Sequence, residues 1–187
     1  MSTTTASQDM TTATSHENSD RAPCADMPSE SPGQEHEWLQ QFVGEWDLEL
    51  EIDCGPGRSP MKSRGHERAR IFGGFWLESE GRNEDFPYVC RLMLGYDRRQ
   101  RCYVGTWMDS MSSHLWHYRG TVDATGRILT LETEGPFPPG PDGGLSKFRE
   151  VTEFKSKDHR VFTSSRWNER GEWQQMVRID FRRRASA

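Results

Sequence analysis

The sequence predicts an all-β protein, an antiparallel up-and-down barrel of about ten strands, with a short N-terminal helix behind a disordered N-terminal tail. Three observations carry that expectation. Residues 45–53 alternate strictly, with Trp46, Leu48, Leu50 and Ile52 between Glu45, Asp47, Glu49, Glu51 and Asp53, the period-two signature of a half-buried strand. Further runs of the same kind follow at near-regular spacing, separated by turn residues and with no helical pattern between them. The aromatic residues are segregated: residues 1–34 contain none, while residues 35–187 hold all 7 Trp, 4 Tyr and 9 Phe. A meander of that length leaves two exposed edges unless it closes on itself, which favours a barrel over an open sheet.

Residues 1–34 hold 12 Ser or Thr, 5 acids and one Arg. That composition buries too little apolar surface to offset an ordering cost of roughly 1–2 kcal/mol per residue, so a disordered Ser/Thr-rich tail is expected there and a barrel domain over 35–184. In the stretch 35–43 (EHEWLQQFV), Trp38, Leu39, Phe42 and Val43 fall at helical spacing, and Gly44 stops the helix. Beyond the 45–53 strand the expected strands are about 61–72, 74–83, 87–96, 101–110, 113–122, 127–134, 146–156, 159–168 and 172–182. Gly73-Gly74, Asp97-Arg98, Asp123–Gly126, Lys157-Asp158 and Asn168–Gly171 supply the turns. The stretch 135–145 (GPFPPGPDGGL) is too rich in Pro and Gly for a regular element.

Hairpin registers then give the interior, because a slip of one residue inverts every side chain. A tight turn between the 101–110 and 113–122 strands sets Asp109 opposite His114, Trp107 opposite Trp116 and Gly105 opposite Tyr118. The turn at Arg99-Gln100 sets Tyr96, Leu94, Leu92 and Cys90 opposite Tyr103, Gly105, Trp107 and Asp109, on the same face. A turn at Lys157-Asp158 aligns Phe154, Thr152, Glu150 and Phe148 with Val161, Thr163, Ser165 and Trp167. The Asn168–Gly171 turn aligns Trp167 with Trp173 and Ser165 with Gln175, and Val177, Ile179 and Phe181 continue that face. Two points stay open. The Asp123–Gly126 turn, by analogy, would bring Glu132 and Glu134 inside, whereas the apolar pattern brings in Leu129 and Leu131 and is preferred. Gly73-Gly74 admits either Phe75 or Trp76 as the inward residue.

The expected interior is therefore aromatic (Trp46, Trp107, Trp116, Trp167, Trp173, Tyr88, Tyr96, Tyr103, Tyr118), with Asp109, His114, Glu150, Thr152, Thr163, Ser165 and Gln175 interspersed. Unpartnered buried polar groups cost about 1–3 kcal/mol each, so such an interior is either hydrogen-bonded within itself or wet and built to hold a ligand. Trp107, Asp109, His114, Trp116, Tyr118, Glu150, Trp167 and Gln175 are the candidate ligand-binding residues. The ligand expected is a small hydrophobic or aromatic molecule. If the cavity is instead an active site, His114 oriented by Asp109 is the candidate acid–base pair; a structural protein with a filled core is the third reading.

Other classes are disfavoured. The formal net charge is −5, without the basic excess a nucleic-acid partner requires. No apolar run reaches the ~18–20 residues of a membrane helix, and no secretory signal is visible. Cys24, Cys54, Cys90 and Cys102 lack C-x-x-C spacing, which suggests reduced thiols in a cytoplasmic protein. His114 and His117 fall on opposite faces of a strand, and Ser110, Ser112 and Ser113 beside them lack an oxyanion motif, so neither a metal site nor a nucleophilic triad is expected.

Gly44-Glu45-Trp46, opening the first strand behind a short helix, resembles the entrance motif of lipocalin-like (calycin) barrels. That resemblance implies that Trp46 plugs one barrel end against a late basic residue, with Arg182 the candidate. Several further stretches carry a broader resemblance over about 35–183. They are Gly73–Trp76, Gly95–Asp97, Tyr103–Met111, His114–Trp116, Leu129–Pro136 and Phe154–Ser156. Together they resemble the bacterial family labelled domain of unknown function 1579, which implies a calycin-like barrel and carries no catalytic residues. The chain is also distantly similar to nitrobindin-type haem barrels. Those place a haem-ligating His near the chain end, whereas no His follows His159, so no cofactor is expected.

Overall fold

The computed structural model describes Met1 and residues 29–137 and 144–185. Most of the expected tail, Cys24 and the centre of the Pro/Gly-rich connection lie outside the described residues. The helix forms as one short turn, α1 (Gln34–Trp38), continued by a 3₁₀ turn (Leu39–Phe42). Ten strands follow: β1 (Gly44–Ile52), β2 (Met61–Phe72), β3 (Trp76–Asn83), β4 (Val89–Asp97) and β5 (Cys102–Asp109), then β6 (Trp116–Val122), β7 (Ile128–Phe137), β8 (Gly144–Ser156), β9 (His159–Trp167) and β10 (Trp173–Arg183). Each pairs antiparallel with its sequence neighbours, and β1 pairs with β10 to close the barrel. Closure leaves no edge strand exposed. Among the described residues no helix is long and apolar enough to cross a membrane.

Turn-based registers hold where the paired strands carry no bulge. Trp107 pairs with Trp116 and Gly105 with Tyr118, and Tyr96, Leu94, Leu92 and Cys90 pair with Tyr103, Gly105, Trp107 and Asp109. Burial overrides the turn analogy at the start of β7: Leu129 and Leu131 are buried while Glu132 faces out and pairs with Arg149 at 3.0 Å. Of the two aromatics after Gly73-Gly74, Trp76 lies outside across Gly95, whereas Phe75 packs edge-on against His36 at the barrel end.

The β8–β9 hairpin departs from expectation by one residue. Ser156 pairs with His159, but Phe154 pairs with Arg160, so Lys155 is an extra, unpaired residue on β8. This β-bulge shifts everything beyond it. Glu150 faces Ser164 rather than Ser165, and Phe148 faces Arg166 rather than Trp167. Val161, Thr163, Ser165 and Trp167 therefore stand on the outer face, with Arg160, Phe162, Ser164 and Arg166 inside. A second bulge at Met176 keeps Val177, Ile179 and Phe181 inward while Gln175, paired with Ser165, goes out.

One end of the barrel is plugged. Leu39 and Phe42 are buried with Leu77, Leu94, Tyr103, Leu129 and Phe154 in one cluster. The Trp38 indole donates to the Gly126 carbonyl (2.7 Å) and the Trp46 indole to the Phe42 carbonyl (2.7 Å), satisfying both N–H groups where the plug meets the wall. The basic residue over Trp46 is Arg183, not Arg182. Its guanidinium lies 4.1 Å from the ring and donates to the carbonyls of Val43, Gln41 and Lys157, because Arg183 is the register partner of Trp46. Arg182 pairs opposite Asp47 on the outer face and bonds Asp180.

Candidate functional site

From the plugged end to the opposite mouth the inner face changes character. Near the plug, Trp46, Leu77, Leu94 and Leu129 are almost wholly buried (0, 0, 0 and 2% exposed). Towards the mouth, residues that point equally inward keep accessible surface: Leu50, Ile52, Leu92, Trp107, Trp116, Glu150, Phe162, Arg166, Val177 and Ile179 are all half-buried. The barrel is closed by the plug at one end, and away from it these inward side chains stay partly accessible, although Thr133, Phe148 and Ser164 beside them are buried.

The lumen's deepest polar layer lies just above the plug. Arg160 is 3% exposed; its guanidinium bonds Glu67 at 2.5 Å and stacks 3.6 Å from the Phe181 ring. Burial first and the Arg183 charge last work against the Arg160 charge, while Glu67 supports it; the Arg160 Nε has no partner among the described residues. One layer nearer the mouth is Glu150. Ser164 Oγ is 3.5 Å from its carboxylate, a distance too long for a strong hydrogen bond. Burial pushes the Glu150 carboxyl up to about 7, against the opposing pull of Tyr118 and Ser164. The Tyr118 hydroxyl is in turn held well above its ordinary range, by burial first and by the Glu150 charge second. Burial also pushes the Cys90 thiol up to about 11, so it is an inert lining group rather than a nucleophile. Nearer the mouth, Trp107 and Trp116 meet edge to face at 6.1 Å, and Trp116 meets Phe148 at 5.1 Å.

Of the residues singled out by sequence, the structure brings Trp107, Trp116, Tyr118 and Glu150 onto this inner wall. Asp109 and His114 stand at the mouth but do not form the expected pair. β6 begins only at Trp116, so residues 110–115 make a loop in place of the tight turn. Asp109 Oδ1 accepts the backbone N–H groups of Met111 (2.6 Å) and Ser112 (2.9 Å), folding that loop. The His114 ring instead contacts the Glu134 carbonyl at 3.2 Å and packs edge-on to Trp116 at 5.1 Å. Trp167 and Gln175 are corrected outright, because the Lys155 bulge turns both outward. Trp167 is 42% exposed and packs on Trp173, whose ring carries the outer guanidinium of Arg149 at 4.2 Å. Trp173 thus leaves the expected interior as well.

Sequence reasoning missed Glu67, Arg160 and Arg166 as inward residues. The two arginines enter because the bulge makes the even positions of β9 continue the wall opposite Phe148, Glu150 and Thr152, and Glu67 enters as the register partner of Trp46; the sequence pattern alone did not signal them. Among the described residues no cluster of His, Cys, Asp or Glu could hold a metal ion. A hollow of about 320 Å³ lined by Glu45, His66, Arg68, Glu80, Arg82, Arg184 and the inward-turned Glu67 is a charged feature of the wall, in which Arg82 bonds Glu80 at 2.7 Å and Arg184 bonds Asp47 at 2.5 Å.

No curated protein matches the sequence. Among solved structures, Rv2717c from M. tuberculosis superposes with a TM-score of 0.59 at 13% identity, covering 83% of this chain and 100% of that one; the similarity is one of fold. A redesigned β-barrel, b11L5F_LGL, aligns at 9% identity over 83% of this chain and 100% of its own, with a TM-score of 0.35. Residues 31–183 match the family described as Protein of unknown function (DUF1579), which spans every strand of the barrel. The chain belongs to that family.

Proposed function

We propose that this protein is a lipocalin-like binding module that holds a small, mainly apolar or aromatic molecule in the unplugged half of the barrel. Trp107, Trp116, Tyr118 and Phe148 would contact its body and Glu150 its innermost polar group. The observation that supports the reading is the accessible surface kept by inward-pointing Leu50, Ile52, Leu92, Trp107, Trp116 and Phe162 away from the plug. Ligand sites are concave, mostly apolar and sparing in polar groups, and this wall has that composition. The acid–base reading loses its motive, since Asp109 and His114 spend their bonds on separate backbone groups. A cytoplasmic setting is part of the proposal; the three described cysteines, Cys54, Cys90 and Cys102, are free, which suits a reducing compartment.

Titration with the neutral fluorophore N-phenyl-1-naphthylamine tests the proposal. Saturable enhancement is expected, with energy transfer from Trp107 and Trp116 that falls in Trp107→Phe and Trp116→Phe variants. Native mass spectrometry of protein purified from its own host is expected to show a co-purified small molecule. A folded protein that shows neither saturable enhancement nor any bound species overturns it.

A further inference from the structure

The lumen's upper layer holds a set of hydrogen-bond donors that the protein leaves unused. Thr133, Phe148 and Arg166 form one row across β7, β8 and β9, each opposite the next. Trp116 lies beside that row: its six-membered ring occupies the space where a Gly135 side chain would begin (2.2 Å), and its ring centre is 5.1 Å from that of Phe148. Around Phe148, then, stand three enclosed groups that have no hydrogen-bond partner among the described residues: Trp116 Nε1, Thr133 Oγ1 and Arg166 Nε. Thr133 is 7% exposed. The Arg166 guanidinium lies 3.9 Å from the Phe137 ring centre, and among the described residues no acid stands within ion-pair distance of it.

What sets this layer apart is its uncompensated charge. Arg160, also inside, leaves its own Nε unpartnered but is neutralised by Glu67; Arg183 is matched by three backbone carbonyls. Among the described residues Arg166 meets only an aromatic face. A partly enclosed cation without a counter-charge is costly, and unpartnered buried donors are rare in folded proteins. Two of the three groups, an indole N–H and a guanidinium N–H, can only donate, and the hydroxyl can donate as well. A constellation of donors with one full positive charge is complementary to an anionic acceptor. Glu150, the acid on the same wall, is one inward position deeper on β8, at the level of Ser164, so it does not compensate this layer.

We infer that the mouth of the lumen is a subsite for a carboxylate or similar oxyanion, held by Arg166 with Trp116 Nε1 and Thr133 Oγ1, and that the ligand is an apolar molecule with an acidic end. The inference rests on the binding function proposed above and deepens it. The planar guanidinium suits an oxyanion, which it can grip through two N–H groups at once. The Phe148, Trp116 and Trp107 rings offer the apolar body a continuous face.

A pair of probes that differ in one charged group separates the two levels. 1-Anilinonaphthalene-8-sulfonate is N-phenyl-1-naphthylamine with an added sulfonate. Wild-type protein is expected to bind the sulfonate at least tenfold more tightly than the neutral probe. Arg166→Gln is expected to lose tenfold or more in sulfonate affinity, the usual scale for a lost charge-assisted bond, while the neutral probe is unaffected. Arg166→Lys keeps the charge without the fork and should fall between. Equal loss of both probes, or no loss of the sulfonate, in Arg166→Gln overturns the subsite while leaving the lumen reading intact. Failure of wild-type protein to bind either probe overturns both. Should Arg166→Gln not fold, competition against the neutral probe in wild-type protein decides: decanoate is expected to displace it at least tenfold more effectively than decanol, and equal potency refutes the subsite.

Discussion

Glu150→Gln isolates the cost of placing one carboxylate in the barrel, since it removes the ionisation and keeps the shape. The Glu150 carboxyl titrates at about 7 in the fold, against 4.5 when unperturbed, with burial the leading cause. Each unit corresponds to about 1.4 kcal/mol, so full ionisation costs the folded state about 3 kcal/mol in a dry interior. Glu150 keeps some accessible surface, and lumen water screens part of that charge, which brings the expectation to about 1–3 kcal/mol. The sign follows from proton binding. Between pH 4.5 and about 7 the folded chain keeps a proton that the unfolded chain has released, so this residue's contribution falls as pH rises through that window and levels off above it. Urea unfolding of wild-type protein and Glu150→Gln at pH 5 and at pH 8 reads this directly. The variant should gain on the wild type by about 1–3 kcal/mol between the two conditions. A difference that does not change with pH, or a wild type that gains at pH 8, would refute the burial of this carboxyl.

Glu67→Gln should destabilise the barrel by about 3–5 kcal/mol, because it strands the Arg160 charge among Phe42, Trp46 and Phe181. The double variant Glu67→Gln/Arg160→Met should recover most of that loss in urea unfolding, and strictly additive losses would contradict the pairing. Trp167→Ala and Gln175→Ala should leave the affinity for N-phenyl-1-naphthylamine unchanged in the same titration, since the Lys155 bulge turns both side chains away from the lumen. A marked loss in either would argue for the unbulged register.

The fold was legible because alternation and turn chemistry agree through most of the chain. β1 reads directly from Trp46, Leu48, Leu50 and Ile52, and the β4–β5–β6 registers follow from their turn positions because no extra residue falls within those strands, even though a loop replaces the tight turn at 110–115. The site was legible only in part, and the reason is the same physics turned round. Turn length fixes a register only if both strands stay regular beyond the turn, and nothing in Phe154-Lys155-Ser156 announces an extra residue. Once it is there, the wall residues of β9 change from Val161, Thr163, Ser165 and Trp167 to Arg160, Phe162, Ser164 and Arg166. The pattern itself argued against arginines inside, because a lone sequence does not display Glu67, which lies 93 residues away and neutralises Arg160. Asp109 and His114 fail for a related reason. A loop of polar residues offers an aspartate nearer partners, the backbone N–H groups two and three positions on, and these capture it before a distant imidazole can.

The bulge on β8 also bears on how such a barrel could change what it holds. Loss of the unpaired position on β8 would rotate the following length of wall by half a turn, exchanging two guanidinium groups, a phenyl ring and a serine for a valine, a threonine, a serine and an indole in one event. Chemistry along the wall would be rewritten without a single substitution, and at the plug the Arg160 guanidinium would leave the Phe42 and Trp46 rings. Short deletions in hairpins of this kind are thus a route to new cargo that point mutation would reach only through many intermediate sequences.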